Sequence, residues 1–174
     1  PIERRFDSAS VWTGSEWLVW GGTSADGDRA LGDGAAYDPA TDTWRVLSAS
    51  PLSPRLVGGV WTGSELLITA GRNSNTNGMN AYGDGAAYDP ATDTWRSLAD
   101  GPAHPGFVPA WDGHLLYLFA KGGVTTYAPA TDTWIDDFAG VQAAIEASPE
   151  YAQALKLRGI NDVKKVVATP LTVG

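Results

Sequence analysis

His104 and His114 are the only imidazoles in this 174-residue chain, and cysteine is absent. Imidazole and thiolate are the side chains best suited to hold transition metals or to drive nucleophilic catalysis near neutral pH. Without Cys, a disulfide scaffold, a thiolate metal site and a cysteine nucleophile are excluded. His104 stands in a linker between prolines, and His114 follows a "WDG" turn. They are expected at opposite ends of one repeat unit, which does not read as a shared metal site. The serines and aspartates are numerous, but no "GxSxG" elbow is present. "GGTSADGDRALGDG" (21–34) is rich in glycine, yet it lacks the Lys-Ser/Thr of a phosphate loop and opens no helix, so it reads as a solvated loop. Asp26/Asp28 and Asp136/Asp137 are close in sequence, which by itself gives no acid–base geometry. The reading names no catalytic residue, no metal ligand set and no cofactor.

The chemistry that remains is recognition. Arg29 lies in the long segment 23–33, and Arg72, Asn73, Asn75 and Asn77 lie in its counterpart 72–82. Arg55 and His104 lie in linkers expected on the same face. Arginine pairs bidentately with carboxylates, and asparagine both donates and accepts. These seven residues are therefore candidates to bind a sugar or a carboxylate, with a protein or a carbohydrate as partner. The formal net charge of −8 and a pI near 4.5 argue against nucleic acid and anionic membrane surfaces. No apolar run approaches the length of a membrane span.

The elements that must position these loops are repeats. "GDGAAYDPATDTWR" occupies residues 32–45 and recurs unchanged at 83–96. It sits inside a longer unit, since "VWTGSEWLVWGG" (11–22) is matched by "VWTGSELLITAG" (60–71) and loosely by "AWDGHLLYLFAKGG" (110–123). Trp12, Trp61 and Trp111 are equivalent, and Tyr37, Tyr88 and Tyr127 each precede a Trp by seven residues. Each unit reads as four short strands, in the second unit roughly 57–61, 66–70, 85–88 and 95–98. "TGSE" or "DG" makes the first turn and "DPATD" the last. A period near 50 with four strands marks a propeller blade.

With the Gly-Gly pair, the Tyr and the spaced Trp, the units resemble Kelch repeats, and "AAYDPATDTW" is similar to the galactose-oxidase-like propellers. Ala70-Gly71 departs from the Gly-Gly pattern. The resemblance implies three four-stranded blades, about 1–50, 51–101 and 102–134, within one mainly β domain of 1–134. It also implies that the copied Tyr and Trp pack between neighbouring sheets, so the copied block is structural. The Cys–Tyr crosslink and paired copper histidines of a galactose-oxidase-like site have no counterpart here. Three blades leave two open flanks, and self-association through them is expected.

After Trp134 the composition changes. Two helical stretches and a strand, "KKVVATPL", are expected, forming a short α/β segment over 135–174. "DDFAGVQ", "LKLRGI" and "DVKKVVATPLTVG" resemble the small α/β domain that precedes the catalytic domain of copper amine oxidases. That family's quinone Asn-Tyr motif and copper-binding His-x-His find no match in this chain. The resemblance therefore implies an incomplete, non-catalytic piece. The abrupt join admits a natural fusion, an engineered chimera or a composite sequence. The compartment is not set by the sequence, with a lean toward a bacterial secreted or periplasmic protein.

Overall fold

The computed structural model describes residues 2–73, 80–120 and 123–135. The chain divides into Pro1–Trp134 and Ile135–Gly174. The α/β segment expected over 135–174 thus lies outside the described residues, Ile135 excepted. Among the described residues the regular structure is all β-strand, with no helix.

Three four-stranded antiparallel sheets follow one another along the chain. The first holds β2 (Ala9–Trp12), β3 (Trp17–Trp20), β5 (Gly34–Asp38) and β6 (Thr43–Val46), hydrogen-bonded in that order. The second holds β7 (Gly59–Trp61), β8 (Leu66–Thr69), β9 (Gly85–Asp89) and β10 (Thr94–Leu98). The third holds β11 (Val108–Trp111), β12 (Leu116–Ala120), β13 (Gly123–Ala128) and β14 (Thr133–Ile135). A two-stranded ribbon pairs β1 (Arg5–Phe6) with β4 (Thr23–Ser24).

The turns form for local reasons. In "TGSE" the Thr13 hydroxyl accepts from the Ser15 and Glu16 N–H groups, and Gly14 takes a φ of +107°. In "DPATD" the Asp38 carboxylate accepts from the Ala40 N–H at 2.8 Å and from the Thr41 hydroxyl at 2.9 Å. The last residue of that turn, Asp42, Asp93 or Asp132, sits in the left-handed region at φ of +53°, +52° and +51°. Aspartate enters that region more readily than most residues, because its short side chain bonds locally. The second strand of the second unit stops at Thr69, one residue short of expectation, because Ala70 has φ +57°. Alanine is accommodated there although a Cβ on its equivalent, Gly21, would lie 2.8 Å from the Arg55 carbonyl. The third linker runs differently. Gly71 N–H donates to His104 O, whereas Gly22 N–H donates to Arg55 O.

Side chains alternate across each strand, so each sheet has two faces to cover. Ala9, Leu18, Trp20, Ala36 and Leu47 of the first sheet pack on Leu66, Ile68, Ala86 and Tyr88 of the second. Val60, Leu67, Ala87 and Leu98 of the second pack on Leu116, Leu118 and Tyr127 of the third. Each fully buried leucine or isoleucine contributes about 1.5–3 kcal/mol. The chain joins its sheets in sequence by this burial.

A polar clasp is set into each junction. The Tyr88 hydroxyl donates to Asp93 Oδ1 at 2.6 Å and accepts from Arg45 of the preceding sheet at 2.7 Å. Asp93 also accepts the Ser48 N–H at 3.0 Å, and Trp95 Nε1–H donates to the Ser48 carbonyl at 3.0 Å. The next junction repeats the pattern with Tyr127, Asp132 and Trp134 holding Ala99, and with Arg96 close to the Tyr127 hydroxyl. A Cβ at Gly101 would run into the Trp134 ring. The second copy of the block is therefore a joint between sheets through Tyr88 and Trp95, whereas Tyr37 and Trp44 of the first copy meet no neighbouring sheet among the described residues.

The clasps should make stability depend on pH at both extremes. The hydrogen bonds from Tyr88 and from Tyr127 hold the Asp93 and Asp132 carboxyls below the usual range. A depressed folded pKa means stability that is present above about pH 4 and lost as pH falls through the folded value. Burial, then the bond to Asp93, pushes Tyr88 up to about 12. A raised tyrosine pKa means stability lost as pH rises from about 10 toward that value. Urea midpoints measured from pH 2 to 11 should fall at both ends. Asp93→Asn with Asp132→Asn should flatten the acid limb, and Tyr88→Phe the alkaline one. Tyr88→Phe should also cost about 1–2 kcal/mol at pH 7, because the hydroxyl is buried and doubly bonded.

Candidate functional site

The innermost strands of the three sheets, β2, β7 and β11, lie side by side. At one end of them is a cleft of about 330 Å³, lined among others by Asp7, Leu56, Gly71, Arg72, Pro105 and Phe107. The second and third linkers contribute to it through Leu56 and Pro105–Phe107, and Asp7 and Ser8 follow the first. Backbone bridges from Leu56 to Arg72 and from Arg72 to Ala81 fix the Arg72 main chain. Its guanidinium is 26% exposed and stands 3.9 Å from the Asp7 carboxylate. That distance is beyond a hydrogen bond, so among the described residues the cation keeps donors for an incoming group. Asp7 occupies the left-handed region at φ +52°. One cation, one acid, glycine backbone and an aromatic ring make a surface suited to recognition.

The seven sequence candidates do not gather in this cleft. Arg72 lines it, and His104 adjoins it through Pro105 while its carbonyl accepts the Gly71 N–H at 3.1 Å. Asn73 closes the ends of its loop, since its Oδ1 accepts the Asn80 N–H at 2.9 Å and its N–H meets the Asn80 carbonyl. Asn75 and Asn77 lie outside the described residues. Arg29 lines a separate cleft of about 390 Å³ with Ile2, Gly32 and Pro54, where it pairs with Glu3 at 2.6 Å.

Arg55 corrects the sequence reading. It is not offered to a ligand: its side chain is 0% exposed. It grips Asp84 with two bonds, of 2.7 and 2.9 Å, donates to the Ser53 and Ala70 carbonyls, and lies 4.1 Å over the Tyr82 ring. Arg5 does the same in the first unit, donating to the Gly21 carbonyl and pairing with Asp33. These arginines pin the first two linkers to the "GD" at the head of each copied block. A second pair of arginines, Arg45 and Arg96, is oriented by Glu16 and Glu65 of the "TGSE" turns.

His114 lies in the turn before β12 and not in the strand, with its N–H on Asp112. Among the described residues no group of three or more His, Asp or Glu is gathered to hold a metal ion. Asp7 and Phe107 were not among the sequence candidates. A signal was available for Phe107, which ends the linker that carries His104, and Asp7 directly follows the equivalent segment "PIERRF".

No protein-family model matches the chain. A primary amine oxidase of Klebsiella aerogenes is 58% identical to it over 40 residues, which make up 23% of this chain and 5% of that protein. The segment 135–174, which resembles copper amine oxidases, is also 40 residues long. The chain thus spans about a twentieth of the relative it matches.

The two kinds of arginine should separate by stability. Arg55→Met and Asp84→Asn each break a pair with one wholly buried member. Each should cost about 2–3 kcal/mol, less than a fully buried pair because Asp84 is partly solvated. Arg72→Ala should stay within about 0.5 kcal/mol of the parent. Urea denaturation of the three variants checks this, and an Arg72→Ala as unstable as Arg55→Met would make Arg72 structural too.

Proposed function

We propose that the chain is a non-catalytic binding or protein-interaction module made of three Kelch-type blades and forming part of a larger propeller. The observation that carries the binding half is Arg72, a guanidinium with no partner among the described residues nearer than 3.9 Å, in the cleft where three inner strands meet. Planar carboxylates suit it best, since they accept two parallel N–H bonds. Asp7 adds an acceptor for a neighbouring hydroxyl, so an acidic sugar fits the chemistry. Sheet order, the repeated clasp and the sealed linkers support the Kelch-type reading. Calorimetric titration with glucuronate tests the site. Arg72→Ala should weaken binding at least tenfold, about 1.4 kcal/mol, and Arg29→Ala should leave it unchanged. Equal affinity of parent and Arg72→Ala, or no response to any carboxylate, would overturn the cleft as a ligand site.

The amine oxidase match favours a second reading, in which the chain includes a non-catalytic piece of a copper/quinone oxidase. The reading frame around the chain separates the two. An Asn-Tyr pair and a His-x-His downstream would favour the oxidase piece, and further blade repeats with glucuronate binding intact would favour the module.

A further inference from the structure

The face of the first sheet that points away from the second carries an aromatic row. By register Trp12 pairs with Trp17, Trp17 with Tyr37, and Tyr37 with Trp44. The equivalent rows, Trp61–Leu66–Tyr88–Trp95 and Trp111–Leu116–Tyr127–Trp134, cover the sheet before them. On the first sheet the three indoles are 45%, 47% and 45% exposed.

This face is already shaped. The Tyr37 hydroxyl donates to Asp42 at 2.8 Å, and the Tyr37 and Trp44 rings are 4.9 Å apart, as Tyr88 and Trp95 are. Asp42 has the left-handed φ of Asp93 and Asp132. A preformed face loses little freedom when covered, which favours docking.

The two filled clasps say what fits. Each holds three features of a fourth strand and the residues after it: an arginine at the tyrosine hydroxyl, bonded in the first clasp and close by in the second, a buried leucine (Leu47 or Leu98), and an N–H and C=O at the next residue. We infer that the Trp12–Trp17–Tyr37–Trp44 face docks the outer face of another four-stranded sheet whose last strand reads Trp-Arg-x-Leu. The arginine meets Tyr37, and the backbone beyond the leucine meets Asp42 and the Trp44 indole.

A second copy of this chain is a poorer occupant. Its third sheet has Ile135 in the arginine position, and Leu115 where Glu16 and Glu65 orient the arginines. Val124 stands at the register position of Gly34, where a Cβ would come within 3.0 Å of the Leu47 side chain. Val108, Phe119 and Val124 form an exposed apolar row on that sheet, which carries Ile135 in place of the clasped arginine. The inference rests on the larger-assembly half of the proposed function and not on the cleft, so failure of glucuronate binding leaves it untouched.

The test extends the full chain by repeating residues 51–101 ahead of Pro1. Gly101 then meets a "PIERRF" that aligns with the "PAHPGF" it normally enters. Tryptophan emission should move to shorter wavelength per indole, acrylamide quenching should fall, and the urea midpoint should rise. Changing the added copy's arginine to isoleucine should remove much of that gain. A second arm needs no new fold: the hexapeptide RVLSAS, the sequence of residues 45–50, is titrated into the unmodified chain. One indole N–H resonance should shift, and the peptide with isoleucine for arginine should shift none. A folded extended chain with unchanged indole exposure, together with no shift by the hexapeptide, would overturn the inference. So would light scattering showing a dimer of the unmodified chain that shields its indoles, since a second copy would then own the face.

Discussion

The Tyr88 hydroxyl sits between a carboxylate of its own sheet and a guanidinium of the sheet before it. The rest of the structure depends on that meeting. Apolar burial drives the sheets together, but it has no direction and would tolerate sliding and rotation. A hydroxyl that must satisfy one acceptor and one donor from different sheets sets a single relative position. Trp95 and Asp93 reinforce it by closing on the N–H and C=O of one residue, Ser48. Register between sheets is thus specified by polar bonds at the rim of an apolar contact, which is where such bonds are strongest for their cost in desolvation.

The linkers obey a second rule of the same kind. Arg5 and Arg55 are spent on holding the chain as it passes from one unit to the next, and the burial of Arg55 leaves no surface for anything else. Where the linkers are pinned, the cleft between the inner strands keeps a fixed wall. Arg72, one unit on from Thr23, is held by its backbone and so keeps its guanidinium for the cleft. Recognition and architecture use the same residue type, and burial of the head group is what divides them.

The strands and turns were legible because the repeat gave three readings of each element, and turn chemistry is local. The strand end at Thr69 was missed by one residue because a left-handed alanine leaves no mark in the letters. Arg55 was misjudged because its partner, Asp84, lies 29 residues away and its burial depends on a linker path that no local pattern encodes. A signal did exist. Arg5 and Arg55 recur with Asp33 and Asp84, and the third unit lacks both, with Gly106 in the linker and no acid in "KGG". Likewise Glu16–Arg45 and Glu65–Arg96 give way together to Leu115 and Ile135. Paired loss inside one chain points to contact. The site residues Asn75 and Asn77, and the tail beyond Ile135, lie outside the described residues.

The fourteen copied letters contain more than one half of each joint. Asp33 or Asp84 receives its own linker's arginine, Tyr and Asp receive the preceding sheet, and Arg45 or Arg96 reaches out to the following one. A gene segment of one unit, duplicated in tandem by unequal crossing-over, would therefore arrive able to mate with both neighbours without compensating substitutions. Such a joint makes array length an easily varied trait. It also means that a damaging change inside the block, unlike one in the loops, is felt by two sheets at once.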